Sequence, residues 1–191
     1  GTKVIIEGEE NLKQVNTPVI IISNHMSSLE TLIFGYIIGR FFKISFIVKD
    51  SLLKYPLFGK LMKFLKPIAV TRKEPRKDFE VVLRSTTQLF KDNISVVVFP
   101  QATRSKKIEK ESFSKIGIKL AEIFKVDIIP ICVKTDFLEL GRIIRDIGVV
   151  NLNNDVYIKI FPPINYKQIK KETHQDIIEL FKETLKKWQI F

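Results

Sequence analysis

Two apolar patterns alternate along the chain. Short runs rich in β-branched residues, at 4–6, 19–22, 44–48, 68–71, 94–99, 127–133 and 156–161, read as strands. Between them lie stretches whose apolar residues recur at helical spacing. The stretch 29–38 is apolar and predicts a helix ending near Gly39; 57–65 predicts a short basic helix. In 78–90 the spacing falls on Phe79, Val82, Leu83 and Leu89, and in 114–124 on Ile116, Leu120 and Ile123. A last helix is predicted over 168–188, with Ile169, Ile177, Leu180, Phe181, Leu185 and Trp188 on one side. The run at 94–99 is apolar but for Ser95, and after Asp127 the run at 128–133 is wholly apolar, as strands buried on both faces are. Residues 134–154 follow neither period and predict an irregular segment. Strand–helix alternation of this length predicts an α/β fold: one domain over 1–191 with a mainly parallel central sheet flanked by helices.

Composition narrows the class. Hydrophobic residues make up 45% of 191 residues, enough for a substantial core and too many for a disordered chain. The net charge of +11 favours anionic partners: nucleic acid, an anionic membrane or phosphorylated small molecules. Nucleic acid is set aside, because neither finger spacing nor a stacking motif is present. The charge is uneven. Nine cations lie between Lys49 and Lys77, against the two acids Asp50 and Glu74. The lone Cys132 sits in an apolar run and reads as a buried small hydrophobe. No apolar stretch reaches the roughly 18 residues of a spanning helix; 32–48 is interrupted by Arg40 and Lys43. The start at Gly1-Thr2-Lys3 leaves room for an upstream membrane segment.

Two segments carry candidate chemistry. In Ser23-Asn24-His25-Met26-Ser27-Ser28-Leu29-Glu30, an apolar strand delivers a His at its C-terminal end, and an acid follows five positions later. The C-terminal edge of an open parallel sheet is where ligands bind. A His there can take a proton from a hydroxyl, and a carboxylate beside it can hold one ring nitrogen. The plainer reading is a loop His and a Glu that complements a helix dipole. In Val98-Phe99-Pro100-Gln101-Ala102-Thr103-Arg104-Ser105, a second buried strand ends in a polar turn with an Arg, whose planar fork suits phosphate. His174, Asp136, Glu139 and Asp146 read as solvated, Trp188 as a packing anchor, and no acid spacing points to a metal.

Together these segments resemble the 1-acylglycerol-3-phosphate acyltransferases, the bacterial-type lysophospholipid acyltransferases. That family carries Asn-His, four residues, then an acid, and further on Phe-Pro-Glu-Gly-Thr-Arg. Lys49-Asp50-Ser51-Leu52 with Pro56 and Gly59 is similar to the approach to the family's second motif, and Val70-Thr71-Arg72 to its Arg-bearing end. Ile128-Ile129-Pro130-Ile131 is similar to the fourth. The resemblance runs from Lys3 to Trp188. It implies a glycerol-3-phosphate acyltransferase-like fold with His25 as general base and Glu30 as its orienting acid. Asn24, Lys49, Arg72, Gln101, Thr103 and Arg104 would bind substrate, the two arginines taking a phosphate. The donor would be acyl-CoA or acyl carrier protein and the acceptor a lysophospholipid, with no cofactor or metal. The chain departs from the family at Glu30 for Asp, Gln101 for Glu and Ala102 for Gly. Those departures leave two alternatives, another lysolipid as acceptor or a non-catalytic lipid-binding member.

Residues 55–66 add a membrane reading. Lys60, Lys63 and Lys66 are spaced by three, and Leu57, Phe58, Leu61, Met62 and Leu65 offer an apolar side. Such a segment can lie in a membrane interface, with Phe58, Lys60, Leu61, Met62 and Lys63 as contacts. The competing reading packs that apolar side on the sheet. The implied location is the cytoplasmic face of a membrane.

Overall fold

A computed structural model describes residues 1–55, 59, 62–101, 103–138 and 150–188. Seven strands form one sheet: β1 (Val4–Glu7), β2 (Ile20–Ser23), β3 (Ile44–Lys49), β4 (Ile68–Val70), β5 (Ser95–Val98), β6 (Ile128–Lys134) and β7 (Val156–Ile160). Their order is β1-β7-β6-β2-β5-β3-β4. Every pairing is parallel except β6 with β7. The predicted mainly parallel sheet is therefore present, and the chain's α/β class follows from it.

Strand pleating sorts the apolar residues into two cores. Ile20 and Ile22 of β2, Val96 and Val98 of β5, and Ile128 and Cys132 of β6 face one core. Ile21, Val97, Ile129, Ile131 and Val133 face the other. The first core is closed by α2 (Pro75–Lys91), α3 (Ile116–Phe124) and α4 (Thr173–Lys187) through Val82, Leu89, Leu120, Ile177 and Phe181. The second is closed by α1 (Leu29–Ile37) through Phe34 and Ile37, with Leu12 and Met62. Both faces of the central strands are thus covered, which is why 94–99 and 128–133 are almost wholly apolar. Gly117 lets α3 press onto β2: a Cβ there would stand 2.7 Å from Ile22 Cδ1.

Several predicted boundaries shift. The last helix begins at Thr173, not 168. Asn165 caps a 3₁₀ turn at Tyr166–Gln168, and the Thr173 hydroxyl accepts from Lys170 N at 2.9 Å. These side-chain bonds satisfy the backbone locally and delay the helix. His174 is not solvated. It is 8% exposed, and its Nε2 is 2.8 Å from the Phe113 carbonyl oxygen. Asp136 is not a free loop charge, since it pairs with Lys134 at 2.8 Å in a largely buried position. Glu139 and Asp146 lie outside the described residues.

Candidate active site

Four neighbouring strands, β2, β5, β3 and β4, run parallel and end at one edge of the sheet. The loop after β2 carries His25, and the one after β5 carries Gln101, Thr103 and Arg104. Lys49 ends β3, and Arg72 follows β4. The four sequence segments converge because their strands are neighbours.

The centre of this edge is a His–Glu pair. His25 Nδ1 is 2.7 Å from Glu30 Oε2, with the His side chain 19% exposed and the Glu fully buried. Glu30 is the second residue of α1 and reaches back along the loop. Its Oε1 accepts from Ser27 N at 2.7 Å and Met26 N at 3.1 Å, and from the Thr135 hydroxyl. A buried carboxylate so supplied with donors is fixed in place. The longer Glu arm in place of Asp still meets the ring. Because Glu30 Oε2 faces Nδ1, the network assigns the hydrogen to Nδ1 and leaves the Nε2 lone pair for a proton. Phe99 stacks on the imidazole, with centroids 4.3 Å apart and planes at 21°. The ring is therefore clamped on its face and at one nitrogen. The plainer reading, a loop His and a Glu that complements the helix dipole, fits the place of Glu30 in the first turn of α1 but does not account for its contact with His25.

Two residues expected on substrate are engaged otherwise. Asn24 is fully buried; its Nδ2 donates to Val133 O at 2.8 Å, and its Oδ1 accepts from Val133 N at 2.8 Å. That bidentate link ties the His25 loop to β6 and leaves the amide turned inward. Gln101, 2% exposed, bridges two backbones. Its Oε1 accepts from His25 N at 3.0 Å, and its Nε2 donates to Lys107 O at 3.0 Å. The two partners force the orientation of the amide, since an N–H must meet the oxygen and a carbonyl the nitrogen. Ser105 N adds a bond to His25 O at 2.8 Å. The loops after β2 and β5 are thus sewn together around His25.

Arg72 is set by α2. Asp78 accepts from Thr71 N at 2.8 Å, Thr71 Oγ1 at 3.1 Å and Arg72 N at 2.7 Å. Burial would raise the Asp78 carboxyl, but the bonds from Thr71 and Arg72 outweigh it and hold it below its ordinary value. Arg72 has φ of 60°, uncommon for a residue with a side chain, and the Asp78 clamp stabilises that turn. Desolvation lowers the Arg72 guanidinium from its ordinary value. Arg72 and Gln101 both line a cavity of about 520 Å³ floored by Ile47, Val70, Phe79 and Val82. Arg104 is half-buried, whereas Lys49 and Thr103 are exposed at the same edge. Ala102 lies outside the described residues. The described residues hold no group of three or more His, Cys, Asp or Glu side chains placed to bind a metal.

Sequence reasoning missed Thr135 and Asp78. Thr135 is 105 positions from Glu30, and nothing local marks it. Asp78 read only as the start of a helix. Of the expected membrane contacts, Phe58, Lys60 and Leu61 lie outside the described residues. Lys63 is exposed, but Met62 is 0% exposed and packs into the second core, so it makes no surface contact. Met62 follows the competing reading, with the apolar side on the sheet. Gly59 serves a close crossing, because a Cβ there would stand 2.2 Å from Leu53 O.

Residues 3–134 match the family described as Acyltransferase, and the chain belongs to that family. It is 33% identical over 167 residues to the chloroplastic 1-acyl-sn-glycerol-3-phosphate acyltransferase LPAT1 of Arabidopsis thaliana, covering 85% of this chain and 44% of that one. It is 30% identical over 131 residues to the 1-acyl-sn-glycerol-3-phosphate acyltransferase of Pseudomonas aeruginosa, covering 69% of this chain and 49% of that one. The chain thus spans about half the length of these relatives or less. The crystal structure of the Thermotoga maritima 1-acyl-sn-glycerophosphate acyltransferase PlsC matches with a TM-score of 0.74 at 23% identity, over 98% of this chain and 73% of that one. That match establishes the shared fold.

Proposed function

We propose that the chain is the catalytic domain, over 1–191, of an acyltransferase that moves a fatty acyl group from a thioester to the free hydroxyl of 1-acylglycerol-3-phosphate. The observation that carries this reading is the clamped His25–Glu30 pair, 2.7 Å apart at the C-terminal sheet edge. The names of the relatives support the acceptor.

In the proposed reaction His25 Nε2 takes the proton of the acceptor hydroxyl as its oxygen attacks the thioester carbonyl. Glu30 orients the ring and stabilises the imidazolium that forms. The tetrahedral intermediate collapses to the ester, and the C–S bond breaks. The leaving thiolate takes its proton from His25, which returns the base to its starting form. Neither a metal nor a covalent acyl-enzyme enters the sequence. Arg72 and Arg104 are assigned to the acceptor's phosphate, for which guanidinium groups are suited. Lys49 and Thr103 stand as further substrate contacts. The donor is acyl-CoA or acyl carrier protein, and the reaction runs at the cytoplasmic face of a membrane.

A non-catalytic lipid-binding role draws its support from Gln101 and Ala102, where the family's charge and its glycine are replaced. The amide's two backbone bonds weaken that support, because they serve the loop holding His25.

The test supplies radiolabelled long-chain acyl-CoA and acyl carrier protein separately, each with lysophosphatidic acid or with lysolipids lacking the phosphate. Phosphatidic acid is the expected product. A lipid complex with no transfer from either donor to any acceptor would overturn the enzymatic reading. Transfer only to phosphate-free acceptors would overturn the roles given to Arg72 and Arg104.

A further inference from the structure

The helix that leads out of the catalytic loop has an unusual solvent face. Charged residues make up 28% of the chain. In α1, Leu29–Ile37, the only charged residue is Glu30, and it is fully buried against His25. What α1 shows to solvent is Leu32, 48% exposed, and Tyr36, 72% exposed. These two stand four apart and share one face of the helix. The helices across the sheet expose charged and polar side chains: α2 shows Glu80, Arg84 and Gln88, α4 shows Asp176, Glu179 and Glu183, and α3 shows Lys119 and Glu122 beside a single exposed Ile123. The burial of Phe34 and Ile37 already anchors α1, so core packing does not account for its outer side chains.

The surroundings of that face are aromatic and cationic. The Arg40 guanidinium lies 5.3 Å from the centre of the Tyr36 ring and 5.9 Å from that of Phe41, and it also pairs with Glu9. On the same face of the sheet Met62 belongs to the second core, and its neighbours Lys63 and Phe64 turn outward, Phe64 at 86% exposure. Lys43 is exposed at the entry to β3. Acids are also present here, at Glu9, Glu10 and Asp50, but none belongs to the exposed face of α1.

We infer that the outer face of α1, Leu32 and Tyr36, is a lipid-docking surface that seats on an anionic bilayer next to His25. An apolar patch with an aromatic at its boundary and cations at its margin is complementary to acyl chains below anionic headgroups. A chain of net charge +11 is attracted to that surface before contact. The inference rests on the lysolipid reading for its purpose, since docking α1 brings the loop of His25 to where such an acceptor resides. It replaces Met62, which is buried, as the apolar contact.

The test is flotation with vesicles of phosphatidylglycerol and phosphatidylcholine, which needs no turnover. The double variant Leu32→Glu/Tyr36→Glu changes exposed positions only, and its melting temperature should match the wild type. Its partition onto vesicles should fall by about tenfold or more, the loss expected from removing a large apolar side chain from contact. Its turnover of a short-chain acceptor dissolved as monomer should be unchanged. A second measurement places a reporter. In a Trp188→Phe background, Tyr36→Trp should shift its emission to the blue on vesicles and be quenched by brominated lipid. Ile123→Trp on α3, 52% exposed across the sheet, should not. Equal behaviour of the two reporters, or undiminished partition of the double variant, overturns the inference. So does a wild-type dimer in sedimentation that the double variant disperses, because a second copy would then cover the face. Vesicle binding without any acyl transfer leaves the docking surface standing and removes the enzymatic reading instead.

Discussion

Gln101→Glu restores the residue that the resembled family carries, and the structure predicts that this chain rejects it at neutral pH. The wild-type amide needs both halves, Oε1 for His25 N and Nε2 for Lys107 O, each at 3.0 Å. A carboxylate keeps the first bond and sets an oxygen against the Lys107 carbonyl in a site 2% exposed. The loss combines a neutral hydrogen bond with an unsatisfied buried acceptor and a partly desolvated charge, together about 2–4 kcal/mol. For a chain of 191 residues that corresponds to a melting temperature lower by roughly 5–15 °C. The sign with pH follows from linkage. The fold disfavours the ionised form, so the introduced carboxyl has a folded-state pKa above its unfolded value of about 4.3. Below that value the variant is protonated and its O–H can donate to Lys107 O, so stability approaches wild type. As pH rises towards the folded pKa the deficit grows and then levels. Thermal unfolding followed by circular dichroism from pH 4 to pH 8 reads this directly. A variant as stable as wild type at pH 7, or with a deficit independent of pH, would refute the bridging role of Gln101.

Three further outcomes follow from the same geometry. Glu30→Gln, with the amide NH₂ turned to His25 Nδ1, selects the tautomer with hydrogen on Nε2; turnover should drop by about 10³–10⁴-fold with little change in acceptor KM, and near-normal turnover in steady-state kinetics would contradict the orienting role. Asp78 has its folded pKa lowered, so its contribution to stability is present above the ordinary Asp value of about 3.9 and lost as pH falls through the folded pKa. Asp78→Asn should therefore flatten the acid limb of stability against pH, and an unchanged limb would discount the clamp on Arg72. Burial pushes the Cys132 thiol well up from its ordinary range, so labelling by a maleimide should require unfolding; rapid labelling of the native protein would contradict its burial.

What the sequence made legible is what periodicity and local chemistry encode. The β-branched runs located all seven strands, and the buried runs at 94–99 and 127–133 marked the centre of the sheet. His25 and Glu30 were legible because both follow one strand within seven positions, His25 on its loop and Glu30 in the first turn of α1. The roles of Asn24 and Gln101 were not. Val133, the partner of Asn24, and His25 N, one partner of Gln101, are backbone groups brought near by the sheet order, while Lys107 O comes from a turn of the same loop; a polar side chain in a motif gives no sign of whether it faces substrate or backbone. Thr135 was hidden for the same reason. Met62 was ambiguous in principle, because an amphipathic segment beside a basic stripe has the same pattern whether its apolar side meets lipid or sheet. His174 was misread because its neighbours Gln175 and Asp176 are polar, while its ring turns to the Phe113 carbonyl, 61 positions away.

The central claim is that His25 is the base for acyl transfer. Thiol release from long-chain acyl-CoA or acyl carrier protein, with and without lysophosphatidic acid, should be compared for wild type and His25→Ala. A catalytic base at His25 requires acceptor-dependent release by the wild type from at least one donor and a fall of about 10²–10⁴-fold in the variant. Acceptor-dependent release that survives His25→Ala at near wild-type rate would contradict it.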